Sequence, residues 1–154
     1  MSLSTLHKVR HLAMEKRWKE IESFFNGSIQ LKQVKAEIDL SNPNKPKVII
    51  KEVTEIHRGG IGGEAVNGGV IAMLIDLAIG LLGLNYFSEG MTATSHLSIH
   101  YVKPLIAAQV IIEAESTEVV GNRIFGKASV MNEKGEICSY ASGVLAKGLR
   151  TGNR

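Results

Sequence analysis

Residues 67–84 read NGGVIAMLIDLAIGLLGL, an apolar run opened by Asn67-Gly68-Gly69 and carrying a single charged side chain, Asp76. As a helix, residues 70–84 would cover about 22 Å against a hydrocarbon core of about 30 Å, with a carboxylate near the middle, so a core helix is expected rather than a membrane span. Burying an isolated carboxylate costs several kcal/mol even after the protein relaxes around it. A sequence kept only for stability would place Leu or Ala there. Asp76 is therefore the first candidate for chemistry.

Upstream of this run, Met14, Trp18, Ile21 and Phe25 recur at helical spacing among Lys16, Arg17, Lys19 and Glu20, which predicts one amphipathic helix over residues 5–25, ended by Asn26-Gly27. The period then changes to two, with Val34, Ala36, Ile38 and Leu40 alternating with charged residues. A turn over residues 42–46 and a second strand over residues 47–56 follow. The glycine-rich residues 58–63 read as a loop without the spacing of a nucleotide cradle. Downstream, a loop over residues 85–90 leads to a strand carrying Leu97, Ile99 and Tyr101 up to Pro104. Three more strands are expected over residues 110–119, 123–131 and 136–147, joined by Gly121-Asn122 and by residues 132–135. Helix, two strands, one long apolar helix and four strands define an α+β domain, an antiparallel sheet curled around the helix.

At 154 residues the chain is long enough for one core. The single Cys138 cannot form an intramolecular disulfide, and no unbroken apolar block marks a secretory signal at the N-terminus, so a reducing, cytoplasmic setting is expected. The net charge of +3 is mild and its basic residues are dispersed, which argues against nucleic acid and leaves an anionic small molecule open. The histidines do not form a metal site: His7 and His11 lack a third ligand, and His96 and His100 on one strand stand about 13 Å apart. His57 falls in a loop with no visible partner, and Cys138 reads as a small packing residue.

The order of elements, with Asn67-Gly68-Gly69 opening the helix and Asp76 nine positions after Asn67, resembles the hotdog-fold acyl-CoA thioesterases of the phenylacetate-degradation (PaaI-like) type. In that family a His-Gly-Gly triplet opens the central helix, an acidic residue follows nine positions after the His, and a strand ends in aromatic-x-x-Pro, here Tyr101-Val102-Lys103-Pro104. Thr94 stands where some members carry a hydroxyl residue. Two positions depart from the pattern: Asn67 replaces the His, and Ile61 occupies a place where many relatives have an amide. The resemblance implies an N-terminal helical extension over residues 1–28 and a hotdog domain over residues 29–154. It also implies an acyl-CoA substrate with no metal or redox cofactor, CoA being part of the substrate; from charge and from helix length and composition, no nucleic-acid or membrane partner is expected.

Thioester hydrolysis needs a polarised carbonyl and an activated water or nucleophile. A helix N-terminus offers free N–H groups and a positive dipole end to an oxyanion, a task that suits Gly68 and Gly69, with the Asn67 amide as a further donor. Asp76 would act as general base or as nucleophile through a mixed anhydride, and Thr94 would orient the water or hold Asp76. Gly69, Ile61, Lys103 and Arg123 are candidates for substrate contact, with Lys127, Lys147 and Arg150 as further possible phosphate ligands. Plainer readings stand beside these: Asn67 as an ordinary N-cap, the glycines as packing residues, Thr94 as a β-branched strand residue. The functional alternatives are a catalytically silent acyl-CoA binder and a structural interaction domain. Gly68 and Asp76 lie about 12 Å apart along one helix, too far to touch one carbonyl, so a homodimer with antiparallel helices and shared sites is expected. Relatives of this type often pair again into homotetramers.

Overall fold

A computed structural model describes residues 3–59, 63–87 and 92–148. Three helices, α1 (Leu3–Met14), α2 (Trp18–Asn26) and α3 (Ile29–Gln33), precede the strands β1 (Glu37–Asp39) and β2 (Lys47–Ile50) and a single 3₁₀ turn, Glu55–His57. The long helix α4 (Gly68–Tyr86) follows, and then β3 (Thr92–Tyr101), β4 (Val110–Val120), β5 (Arg123–Asn132) and β6 (Ile137–Lys147). All six strands form one antiparallel sheet in the order β1-β2-β4-β5-β6-β3, and α4 packs against every strand except β1. The α+β architecture, a sheet wrapped around one central helix with helical structure ahead of it, is the one expected.

The alternation along β4 and β5 turns Val110, Ile112 and Ala114, then Ile124, Ala128 and Val130, into the core. Gly126 and Gly143 pair across β5 and β6 and leave a dent in the sheet. A Cβ on Gly126 would stand 2.9 Å from Leu82 Cδ1, and one on Gly143 would stand 3.0 Å from Ile79 Cδ1, so these two glycines admit the helix side chains. At the far end of α4, a Cβ on Gly83 would collide with the Thr92 hydroxyl.

The helix α4 has 19 residues, not the shorter run expected, and its length and hydropathy would suffice for a membrane crossing. What marks it as a core helix is burial: Ile71, Leu74, Ile75, Ala78, Ile79 and Leu82 lie under the sheet. The single helix expected over residues 5–25 is broken instead. Lys16 adopts φ 56°, and N–H groups of Lys16 and Arg17 donate to the carbonyls of Ala13 and Leu12, a helix-closing pattern that ends α1 and lets α2 start in a new direction. Lys35, at φ 47°, ends α3 in the same way, with Lys35 and Ala36 donating to Lys32 and Leu31. This closure takes up Val34 and Lys35 and shortens the first strand to three residues. The second expected strand likewise stops at Ile50, before the 3₁₀ turn.

The two sheet edges are treated differently. On β1, Asn26 of α2 accepts from the Ile38 N–H at 2.7 Å and donates to its carbonyl at 3.1 Å, and Glu22 accepts from the Leu40 N–H at 2.8 Å. Those bonds cover that edge. The opposite edge, the ten-residue β3, pairs only with β6.

Gly83→Ala should cost about 1–3 kcal/mol in urea unfolding by driving α4 away from β3. Adding Thr92→Ala, which removes the colliding hydroxyl and methyl, should recover part of that loss; equal stability of wild type and Gly83→Ala would refute the close approach.

Candidate active site

Helix α4 begins where three contacts meet. Asn67 is its N-cap, with extended backbone, and its Oδ1 accepts from the Gly69 N–H at 2.7 Å. The Asn67 N–H donates to the His57 carbonyl at 2.7 Å, and the Tyr101 hydroxyl donates to the Gly68 carbonyl at 2.8 Å. The Tyr101 ring lies 3.4 Å from where a Gly68 Cβ would stand. Among the described residues the Gly68 and Val70 N–H groups have no acceptor, and the Gly68 N–H, at the first position of the helix, is a backbone donor free for an oxyanion at its positive end. The Asn67 cap occupies the Gly69 N–H, which sequence reasoning had counted with it; the Asn67 Nδ2 group is still able to donate.

His57 is a positioning residue that sequence reasoning missed. It is fully buried, its Nδ1 accepts from the Thr54 N–H at 2.9 Å, and its Nε2 donates to the Val34 carbonyl at 2.7 Å. A backbone N–H can only donate and a carbonyl only accept, so one tautomer is fixed. The ring thus locks the turn whose carbonyl holds Asn67. Tyr101 entered the sequence reading only as part of a motif, and nothing in the sequence tied its hydroxyl to Gly68, 33 positions away.

Asp76 is exposed, a correction to the expectation that it would be buried. It lies on the side of α4 turned away from the sheet, beside the half-buried Ala72, Met73, Leu77 and Gly80. Among the described residues it has no hydrogen-bond or ion-pair partner. Asp76 and the half-buried Thr94 line the same cavity, about 370 Å³, together with Leu77, Gly80, Leu84 and Phe87. Thr94 borders a break in the pairing of β3 with β6, between Thr94 and His96.

The expected site residues therefore fall into two groups within the chain, Asn67, Gly68 and Gly69 at the helix start, beside Tyr101, and Asp76 with Thr94 further along. The basic residues divide in the same way. Lys103 follows Tyr101 and pairs with Glu136 at 3.7 Å, whereas Arg123 donates to Ser95 at 3.5 Å, near the Thr94 end of the strand. Lys127 is taken up by Glu115 at 2.9 Å across neighbouring strands, on the side of the sheet away from α4, where Gly126 and Ala128 turn inward. Lys147 lies over the Phe87 ring at 5.4 Å. Ile61 and Arg150 lie outside the described residues. Cys138 is in the core, where burial pushes its thiol pKa up and away from a nucleophilic thiolate. Among the described residues no three His, Cys, Asp or Glu side chains are grouped to hold a metal ion.

A sheet rolled around a helix, with a donor-rich helix start and a carboxylate on the uncovered helix face, defines the hotdog class. Within that class the chain belongs to the thioesterase superfamily, whose family model matches residues 63–139 and so takes in Asn67, Asp76, Thr94, Lys103 and Arg123. It is similar to acyl-coenzyme A thioesterase THEM4 of Rattus norvegicus, 31% identical over 78 residues, and to the Mus musculus protein of the same name, 30% identical over 78 residues. Each match covers 50% of this chain and 32% of the relative, so the chain matches about a third of the length of these relatives. Among solved structures, a thioesterase of Haemophilus influenzae superposes with a TM-score of 0.77 at 13% identity, covering 89% of this chain and 94% of that one. The E. coli PaaI protein from the phenylacetic acid degradation operon gives 0.72 at 16% identity, covering 92% and 96%. At such identities these two likenesses establish the fold.

Asn67→Ala should destabilise the protein by about 1 kcal/mol through loss of the cap, while Asn67→Asp, an equally good cap at a positive helix end, should not. Urea unfolding of the two variants separates them; equal losses would mean the side chain does not cap α4 in solution.

Proposed function

We propose that the chain is an acyl-CoA thioesterase working as a homodimer, each site combining Asn67 and Gly68 of one protomer with Asp76 and Thr94 of its partner. The observation that carries this reading is the separation of the two groups along α4, together with the free Gly68 N–H at one and the unpartnered carboxylate at the other. Two copies related by a two-fold axis, with their α4 helices antiparallel, would bring the groups together twice. The uncovered edge of β3 and the half-exposed apolar face around Asp76 provide the surfaces for that pairing. Further pairing of dimers into a homotetramer extends the same proposal, as does a cytoplasmic setting.

In the reaction, the thioester oxygen accepts from the Gly68 N–H as charge builds on it, with Asn67 Nδ2 as a second donor. Asp76 takes a proton from water while the water oxygen bonds to the carbonyl carbon, Thr94 holding that water. Collapse of the tetrahedral species breaks the C–S bond and releases CoA as thiolate, a good leaving group, with the carboxylic acid as the other product. In the nucleophilic variant the Asp76 carboxylate attacks the carbonyl itself, and water then cleaves the mixed anhydride. Neither route uses a metal or redox cofactor. A second reading, acyl-CoA binding without hydrolysis, is favoured by one observation: the Asn67 cap removes the Gly69 N–H from the set of oxyanion donors.

Thiol release from a panel of short, long and aromatic acyl-CoAs should be detectable with the wild type. Asp76→Ala should lower kcat by about two orders of magnitude or more with KM little changed. Its stability should shift by no more than about 0.5 kcal/mol, as expected of an exposed group without partners. A folded Asp76→Ala protein that keeps most of its turnover would remove Asp76 from the mechanism, and acyl-CoA binding without thiol release would favour the second reading.

A further inference from the structure

His96 and His100 lie on β3, the edge strand that pairs only with β6, and both are exposed. Residues directly opposite each other in an antiparallel pair point to the same face. Leu97 is opposite Gly143, whose missing Cβ makes room for Ile79, and Ile99 is opposite the buried Ala141, so these two turn toward α4. His96, Ser98 and His100, opposite Val144, Ser142 and Tyr140, therefore turn to the outer face. The other three histidines are elsewhere: His7 and His11 are exposed on α1, and both ring nitrogens of the buried His57 are engaged. Within one chain His96 and His100 are about 13 Å apart, too far to share an ion.

A second copy changes that distance. The dimer proposed above places Asn67 and Gly68 of one protomer, and so the Tyr101 that touches Gly68, against Asp76 and Thr94 of the other. Where β3 pairs antiparallel with its own copy along the uncovered edge, Tyr101 thus stands opposite the partner's Thr94. These two residues are six pairing steps apart along β6, opposite Ser139 and Leu145, because the break after Thr94 leaves Ser95 without a place in the ladder. The two-fold axis passes through the midpoint, Ser98. Sheet geometry also requires a centre on a residue, since an axis between two residues would pair an outward side chain with an inward one. His96 and His100 are each two steps from Ser98, on opposite sides. Each His96 therefore faces the partner's His100, with Cβ atoms about 4.5–5.5 Å apart, close enough for both imidazoles to hold one metal ion at about 2.0–2.1 Å.

We infer that His96 of one protomer and His100 of its partner form a divalent transition-metal site of the zinc type, present twice across the two-fold axis, which clasps the dimer on the outer face of its sheet. The inference rests on the shared-site dimer proposed above. Imidazole pairs suit Zn²⁺, and with two protein ligands the remaining positions fall to water, which makes the ion exchangeable rather than a fixed structural one. Both side chains point away from α4, so the ion stands clear of Asp76 and Asn67 and takes no part in hydrolysis. Its effect is on assembly: an ion held only by the dimer strengthens the dimer by mass action. At free Zn²⁺ ten times the site's Kd, two sites tighten the dimer about a hundredfold.

The test uses untagged protein carrying His7→Gln and His11→Gln, which removes the other histidine pair with ligand spacing. Equilibrium dialysis should find about two Zn²⁺ per dimer, and sedimentation should show the dimer dissociation constant falling about a hundredfold at that zinc level. His96→Gln or His100→Gln, each at an exposed position, should abolish both sites. A mixture of these two variants, exchanged to equilibrium, should regain roughly a quarter of the sites, because only the mixed dimer unites an intact His96 with the partner's intact His100. Dimers that bind no zinc, that keep it in either single variant, or that regain none on verified mixing would overturn the clasp and leave the shared active site standing. A chain that sediments as a monomer with and without zinc would refute the dimer itself, and the clasp with it.

Discussion

Seating α4 in the dent of the sheet is the constraint on which the rest of the structure depends. Ile79 and Leu82 enter where Gly126 and Gly143 carry no side chains, and Gly83 lies against Thr92. These contacts fix both the rotation and the axial position of the helix. Rotation decides that Asp76 and Gly80 face away from the sheet; axial position decides that Gly68 arrives at Tyr101 and that Asp76 shares a cavity with Thr94. Each of these placements follows from packing that is itself purely apolar and steric.

The parts of this fold that were legible in the sequence are those written in long, unbroken periods. β5 alternates along its whole length, β6 along most of it and β4 over its first half, and the turns between them contain Gly121 and Gly135 at positive φ, where glycine is the least strained residue. The N-terminal third was harder to read because its helices end on Lys16 and Lys35 in left-handed conformations, without the glycine that usually announces such an ending. The apolar spacing of Met14, Trp18 and Ile21 runs straight across the first break, so periodicity alone could not show it.

For the site, residue types and spacing identified Asn67, Gly68 and Asp76 but not the atoms that hold them. The roles of His57 and Tyr101 arise from long-range contacts to Val34 and Gly68 that no local pattern records. Asp76 was misjudged as buried because a helix apolar on nearly all sides reads as one enclosed on all sides. In a single chain the sheet covers only one side. The uncovered apolar face and the bare edge of β3 point the same way, toward a second copy as the missing cover, whereas α2 already protects the edge at β1.

The central claim is that catalysis needs Asn67 and Gly68 from one protomer and Asp76 from the other. It is tested most directly by mixing two inactive proteins, Asp76→Ala and Asn67→Asp, under conditions where subunits exchange. A mixed dimer would contain one site with both native groups, so random exchange should restore roughly a quarter of wild-type activity. Verified exchange with no recovered activity would contradict the shared site and place the reacting groups within a single chain.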